Sequence, residues 1–240
     1  MGLKYAGYNI IDAVDNQDYA VNTYNLNIGD HARVVDFKKC KSSEIKKADV
    51  YVATPPCKSF SCAGSGLGNK DPKNGDLFQH SMQIIRDNKP KAFLFENVKG
   101  LTFKKHKEFF NWIISTLEEI GYNVTWKLSD CWEYGVPQVR ERVFIVGIRS
   151  DLNKTFKFPE PIKKEDRKNL RDAIGDLPEP TDLVKNHLGY GLRSDEEPFV
   201  SKVPIGGNWK SLDTEDQKDF MGGAYNSGGG RTGFLRKVDI

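Results

Sequence analysis

Val50-Tyr51-Val52-Ala53-Thr54-Pro55-Pro56-Cys57-Lys58-Ser59-Phe60-Ser61 decides the reading of this 240-residue chain. Its first four residues are a short apolar run that reads as a buried strand, which the proline pair ends abruptly. Proline fixes φ and donates no hydrogen bond, so Pro55-Pro56 stops the strand and holds Cys57 at its carboxyl end. In α/β sheets that edge is where ligands and catalytic side chains collect. The stretch that follows, residues 61–76, is long, polar and rich in glycine. A loop of that size is more often a lid or binding loop than a plain connector. Taken alone, Cys57 is better explained as a buried, inert thiol than as a nucleophile, and its surroundings have to decide.

Upstream, Tyr8 to Val14 and Ala32 to Val35 read as strands, with a short helix from Asp18 to Leu26 between them. Downstream, Asp76 to Asn88 carries Leu77, Met82, Ile84 and Ile85 on one helical face and stops at Lys89-Pro90. Ala92 to Phe95 is the next buried strand, with Glu96-Asn97 at its end. Phe109, Phe110, Ile113, Ile114, Leu117 and Ile120 recur at helical spacing within Lys104 to Ile120, closed by Gly121. That helix is core packing. Tyr122 to Leu128 and Val143 to Ile148 are two more strands, flanking Gly135-Val136-Pro137 and Gln138-Val139-Arg140-Glu141-Arg142. Alternating strands and helices imply an α/β domain with a parallel, doubly wound sheet.

Beyond Arg149 the texture changes. Phe156 to Pro161 reads as a linker and Leu170 to Leu177 as a short helix. From Thr181 onward regular periodicity is scarce, and glycine clusters at 206–207, 222–223 and 228–230 dominate. With Trp209, Phe220, Tyr225, Phe234 and Arg231 interspersed, this fits a loop-rich module that approaches a phosphate backbone better than it fits a flexible tail.

Several charged residues admit two readings. Asp15 and Asp36 fall at strand ends, where an acid accepts hydrogen bonds from ribose hydroxyls or serves as a cap or turn residue. Glu96 ends an apolar run, as a buried acid or as a surface cap. Arg140 and Arg142 share a side at strand period, suited to a phosphate or carbonyl oxygen or to a structural ion pair.

Composition bounds the rest. At 38% hydrophobic residues the chain can bury a sizeable core. A net charge of +3, with 36 Lys+Arg against 33 Asp+Glu, does not by itself mark a nucleic-acid surface. No apolar run approaches the roughly 18 residues that cross a bilayer, and the start has no signal-peptide profile. Four cysteines, Cys40, Cys57, Cys62 and Cys131, show no metal-ligand spacing, so a cytosolic setting with reduced thiols is expected.

Three stretches in order carry a resemblance. Pro55-Pro56-Cys57-x-Ser59-Phe60-Ser61-x-Ala63-Gly64, Phe95-Glu96-Asn97-Val98 and Gln138-Val139-Arg140-Glu141-Arg142 resemble motifs of the cytosine-5 DNA methyltransferases. The resemblance implies a Rossmann-like S-adenosylmethionine-dependent methyltransferase sheet with helices on both faces over residues 1–158. Residues 159–240 would then be a linker and a partial, loop-rich target-recognition domain. It implies Cys57 as nucleophile, Glu96 as proton donor to the ring, Arg142 on the flipped base and Arg140 in support. Asp15 with Asn16, Asp36 with Phe37, Pro56 and Leu77 would line the S-adenosylmethionine pocket. Ser61, Gly64, Asn97, Gln138 and Arg231 would serve the double-stranded DNA.

Two departures stand out: Lys58 replaces a usual Gln, and Asp15 a usual Glu. A first strand with its Phe-x-Gly-x-Gly loop and the late cofactor motifs are also expected and not found. The chain is therefore expected to be a truncation or one piece of a split enzyme completed by a second chain. The implied setting is a microbial restriction-modification system, cytoplasmic and nucleoid-associated, with no membrane. An RNA cytosine-5 methyltransferase and a non-catalytic DNA-binding relic are the alternatives.

Overall fold

A computed structural model describes residues 1–56, 77–178, 194–223 and 225. The helices are α1 (Gly2–Tyr5), α2 (Asp18–Asn27), α3 (Leu77–Asn88), α4 (Lys107–Glu119), α5 (Leu170–Ile174), α6 (Glu197–Val200) and α7 (Thr214–Met221). The strands are β1 (Ala13–Asp15), β2 (Ala32–Val34), β3 (Val50–Ala53), β4 (Ala92–Val98), β5 (Tyr122–Asp130) and β6 (Glu141–Arg149). Two compact units result: Met1–Tyr134 with Val139–Ile162, and Gly135–Gln138 with Lys163–Ile240.

The first unit holds two sheets. The small one pairs β1 with β2 in parallel. The large one runs β3-β4-β6-β5, with β3 and β4 parallel and β6 antiparallel to both β4 and β5. The wholly parallel sheet expected from the strand–helix alternation is therefore corrected to a mixed one. The reason is local. The crossover helix α4 does leave β4 and β5 running the same way. Only ten residues without an α-helix separate β5 from β6, and a connection that short joins antiparallel neighbours.

Alternation along β4 puts Phe93, Phe95 and Asn97 on one face, all buried. Phe95 meets Phe78 of α3 edge-on, and Phe78 meets Phe109 of α4 in the same way. With Ile85, Ile113, Leu117, Val143 and Ile145 these rings form one core between the sheet and α3 and α4. Phe93 lies over Gly147 of β6, and a β-carbon there would run into its ring. Burying a ring of this size removes on the order of 150–250 Å² from water, so this core carries the stability of the unit. The opposite face of β4 carries Leu94, Glu96 and Val98.

The small sheet rests on a polar hub. Asp12 accepts from Arg33 Nε at 3.0 Å and Nη2 at 2.9 Å, and from the Lys46 backbone N–H at 3.0 Å. Burial opposes ionisation of Asp12. Arg33 and Lys46 outweigh it and hold the carboxyl below its ordinary range. Residues 154–162 do not run free as a linker. Lys154 and Phe156 carbonyls accept from Asn123 and Thr125 of β5, and the Ile162 N–H donates to Glu133 O.

The second unit has a core of its own, Val203, Trp209, Leu212, Phe220 and Met221, around α7. Asp213 caps α7 by accepting from the Asp216 N–H at 2.8 Å. This helical module lies in the stretch read above as loop-rich.

Candidate active site

At the carboxyl edge of the large sheet, neighbouring strands deliver different groups. β3 ends at Ala53, and Pro55 follows at the root of the segment bearing Cys57. Asn97 of β4, buried, donates from Nδ2 to the Pro55 carbonyl at 3.0 Å, while its Oδ1 accepts from the Val98 N–H. The donor is aimed because Ala53 registers against Phe95, two residues before Asn97. One side chain thus ties the Pro55-Pro56 turn to β4.

Glu96 and Arg142 meet on the other face. Val98 registers against Arg142 and Glu96 against Phe144, so the two form a diagonal cross-strand pair. Arg142 Nε lies 2.8 Å from Glu96 Oε1, with side chains 19% and 27% exposed. Arg142 Nη1 also donates to the Glu141 carbonyl at 2.8 Å. That leaves Glu96 Oε2 and Arg142 Nη2 without a partner among the described residues: an acceptor and a donor side by side, matched to a ligand edge that carries both kinds of group. The role expected of Glu96 needs a proton on its carboxyl, and in this geometry a guanidinium occupies one of its oxygens.

Arg140 does not join them. It is exposed and precedes β6; its backbone N–H donates to Asp130 Oδ1 at 2.8 Å and its carbonyl accepts from Cys131 N–H at 3.0 Å. Glu141, pointing away from Arg142 at strand period, accepts from Lys99 Nζ at 2.7 and 2.9 Å. Sequence reading passed over Lys99. The signal was its position directly after Phe95-Glu96-Asn97-Val98. It also passed over Asp12, whose signal was a charge inside an otherwise apolar strand run.

The four residues at the ends of the small sheet's strands share one edge, since Asp15 registers against Val34. Asp15 Oδ1 accepts from the Gln17 N–H at 2.9 Å, and Asp36 Oδ1 from the Lys38 N–H at 3.2 Å. Asn16 Oδ1 accepts from Gln17 Nε2 at 3.0 Å. Both aspartates therefore act as turn caps, yet Asp15 is exposed with its Oδ2 unpaired among the described residues, and Phe37 is half-buried. An exposed acceptor at a strand end fits a ribose diol. Pro56 is exposed and Leu77 is buried at the start of α3. Gln138 is exposed in the second unit. Cys57, Ser61, Gly64 and Arg231 lie outside the described residues, as do Lys58 and Cys62. Among the described residues no group of three or more His, Cys, Asp or Glu side chains is set to hold a metal, and no helix is long and apolar enough to cross a membrane.

An α/β unit whose large sheet gathers a proline pair and a carboxyl–guanidinium pair at its carboxyl edge, and whose small sheet ends in acids, has the architecture of a methyltransferase. The structure is similar to that of the S. pombe Dnmt2 methyltransferase, with a TM-score of 0.61 and 20% identity, over 85% of this chain and 63% of that one. The chain belongs to the C-5 cytosine-specific DNA methylase family, whose model matches residues 1–229. It is 40% identical to Type II methyltransferase M.MthTI of Methanothermobacter thermautotrophicus over 80% of this chain and 57% of the relative. It is 44% identical to Type II methyltransferase M.FnuDI of Fusobacterium nucleatum over 74% of this chain and 52% of the relative. The chain thus spans little more than half the length of either.

Proposed function

We propose that this chain forms the core of a DNA cytosine-5 methyltransferase that methylates carbon 5 of a flipped-out cytosine through a covalent Cys57 adduct. The observation that carries the reading is the pairing of Arg142 with Glu96, whose neighbour Asn97 on the same strand grips Pro55, two residues before Cys57. Carbon 5 of cytosine is a poor nucleophile. A Cys57 thiolate adding to carbon 6 pushes ring electrons toward N3 and carbon 5, splitting one hard step into easier ones. Glu96 would hold the proton at N3, and Arg142 the pyrimidine carbonyl oxygen through its free Nη2. Once carbon 5 carries the methyl group, its proton passes to a water molecule and the carbon–sulfur bond breaks, which restores the ring and returns the thiolate. S-Adenosylmethionine, with Asp15, Asp36, Phe37, Pro56 and Leu77 as its expected contacts, would supply an electrophilic methyl group. The target base must leave the stack to reach these groups, at a cost of a few kcal/mol.

Among the described residues β1 pairs with β2 alone and β3 with β4 alone, so each keeps an unpaired edge. An open edge of this kind can take up a further strand. The 240-residue chain by itself is then expected to bind S-adenosylmethionine weakly; tight binding in calorimetry would contradict that. The family match favours DNA over RNA as substrate, as do the Type II relatives.

The reading is tested with duplex DNA carrying 5-fluorocytosine, which blocks release and accumulates the adduct even when turnover is slow. With S-adenosylmethionine, a covalent complex should form, should vanish in Cys57→Ser, and should form about 10²-fold or more slowly in Glu96→Ala. An adduct that survives Cys57→Ser would refute it, and trapping on tRNA in preference to duplex DNA would favour the RNA alternative.

A further inference from the structure

We propose that Lys104, Lys105 and Lys107, with Lys99 and Arg140 beside them, form a landing surface for the phosphate backbone of the duplex whose base reaches Glu96 and Arg142. This rests on the reading under Proposed function and adds the path of the DNA over the first unit. Residues 99–107 hold four lysines and no acid, in a chain whose net charge is only +3. The topology puts them at the working edge. β4 ends at Val98, and Val98 registers against Arg142, so the segment that begins at Lys99 starts beside the carboxyl–guanidinium pair. Arg140 enters the same edge, fixed through its backbone to Asp130 at the end of β5.

Lys104, Lys105 and Lys107 are exposed, and none has an acidic partner among the described residues. Glu108, in the first turn of α4, is the acid next to them in the chain, and no ion pair joins it to these lysines among the described residues. Glu141 accepts from Lys99, and Asp130 Oδ1 accepts the N–H groups of Trp132 and Arg140. Local stability does not explain these lysines either. They sit around the start of α4, where the helix dipole favours anions and cations work against the helix. A row of phosphates would relieve that conflict, and each neutralised phosphate would release counterions.

The test is the salt dependence of binding to a fluorescent duplex, with the full 240-residue chain. The variant is Lys104→Gln/Lys105→Gln/Lys107→Gln. The control removes the same charge from Lys47, Lys91 and Lys154, which adjoin the opposite end of the large sheet. The slope of log K against log salt should fall by about 2 to 3 in the first variant, uniformly across duplex sequences, and stay unchanged in the control. Circular dichroism confirms that both variants fold; should the first not fold, the single variants, each lowering the slope by about 0.9, carry the same test. Equal slopes in variant, control and unaltered chain would overturn the surface alone. A chain that binds no duplex at all would overturn it together with the reading on which it rests.

Discussion

The two sheets of the first unit are built on opposite terms. The large sheet rests on aromatic burial, with Phe93, Phe95, Ile113, Leu117 and Ile145 all but removed from water. The small sheet buries a single large side chain, Val21, while Leu26 stays 86% and Val34 56% exposed. What holds it is Asp12, with Arg33 and the Lys46 N–H around it. Parallel strands are ordinarily covered on both faces, and this parallel pair is not so covered among the described residues. The groups expected to do chemistry sit on the large sheet, while Asp15, Asn16, Asp36 and Phe37, four of the expected cofactor contacts, follow the strands of the small one.

That contrast is sharpest in a core truncation. Phe95→Ala is expected to destabilise the chain by about 3–5 kcal/mol in urea unfolding, and Val21→Ala by far less. Equal losses would mean that the small sheet is as well packed as the large one. Asp12→Asn is expected to cost about 1–3 kcal/mol, because Arg33 loses its charged partner. Since the folded Asp12 carboxyl titrates below its ordinary value, its contribution is whole above about pH 4 and disappears as pH falls through the lower folded value. The unaltered chain should therefore lose more stability on acidification than the variant, and the loss should appear first in hydrogen exchange of β1 and β2.

Tyr122 gives the matching probe of the large sheet at the alkaline end. It is buried, its hydroxyl donates to the Pro90 carbonyl at 2.7 Å, and burial pushes its pKa up to about 12. A raised phenol contributes stability that is whole below about pH 10 and is lost as pH climbs toward 12. Tyr122→Phe should cost about 1 kcal/mol at neutral pH and flatten the alkaline limb. An unchanged limb would place the alkaline sensitivity elsewhere.

Legibility in the sequence followed the same divide. Val50 to Ala53 was readable as a strand to the residue, and α4 nearly so, because an apolar run with a proline stop and a 3.6-residue stripe are local signals. The direction of β6 was not, since strand direction depends on the connection rather than on the strand. The run from Tyr8 to Val14 folds as a strand only from Ala13, where β1 pairs with β2. Helix α7 was missed because Thr214-Glu-Asp-Gln-Lys-Asp is polar almost throughout, and its core contacts, Phe220 and Met221, come at its last turn. At the site, Glu96 and Arg142 were readable as candidates, but their pairing was not, because it depends on a register of antiparallel strands that the sequence does not print. Arg140 was expected on the same side and is held instead by its backbone.

The central claim is that the Cys57 thiol works within reach of Glu96. The most direct measurement is disulfide formation between Cys57 and a cysteine introduced by Glu96→Cys, with Cys40, Cys62 and Cys131 changed to serine. A disulfide needs Cα atoms within about 7 Å. Rapid, near-complete oxidation to the intramolecular bridge, read by mass spectrometry, is the predicted result, and a chain whose two thiols stay reduced under the same oxidant would contradict it.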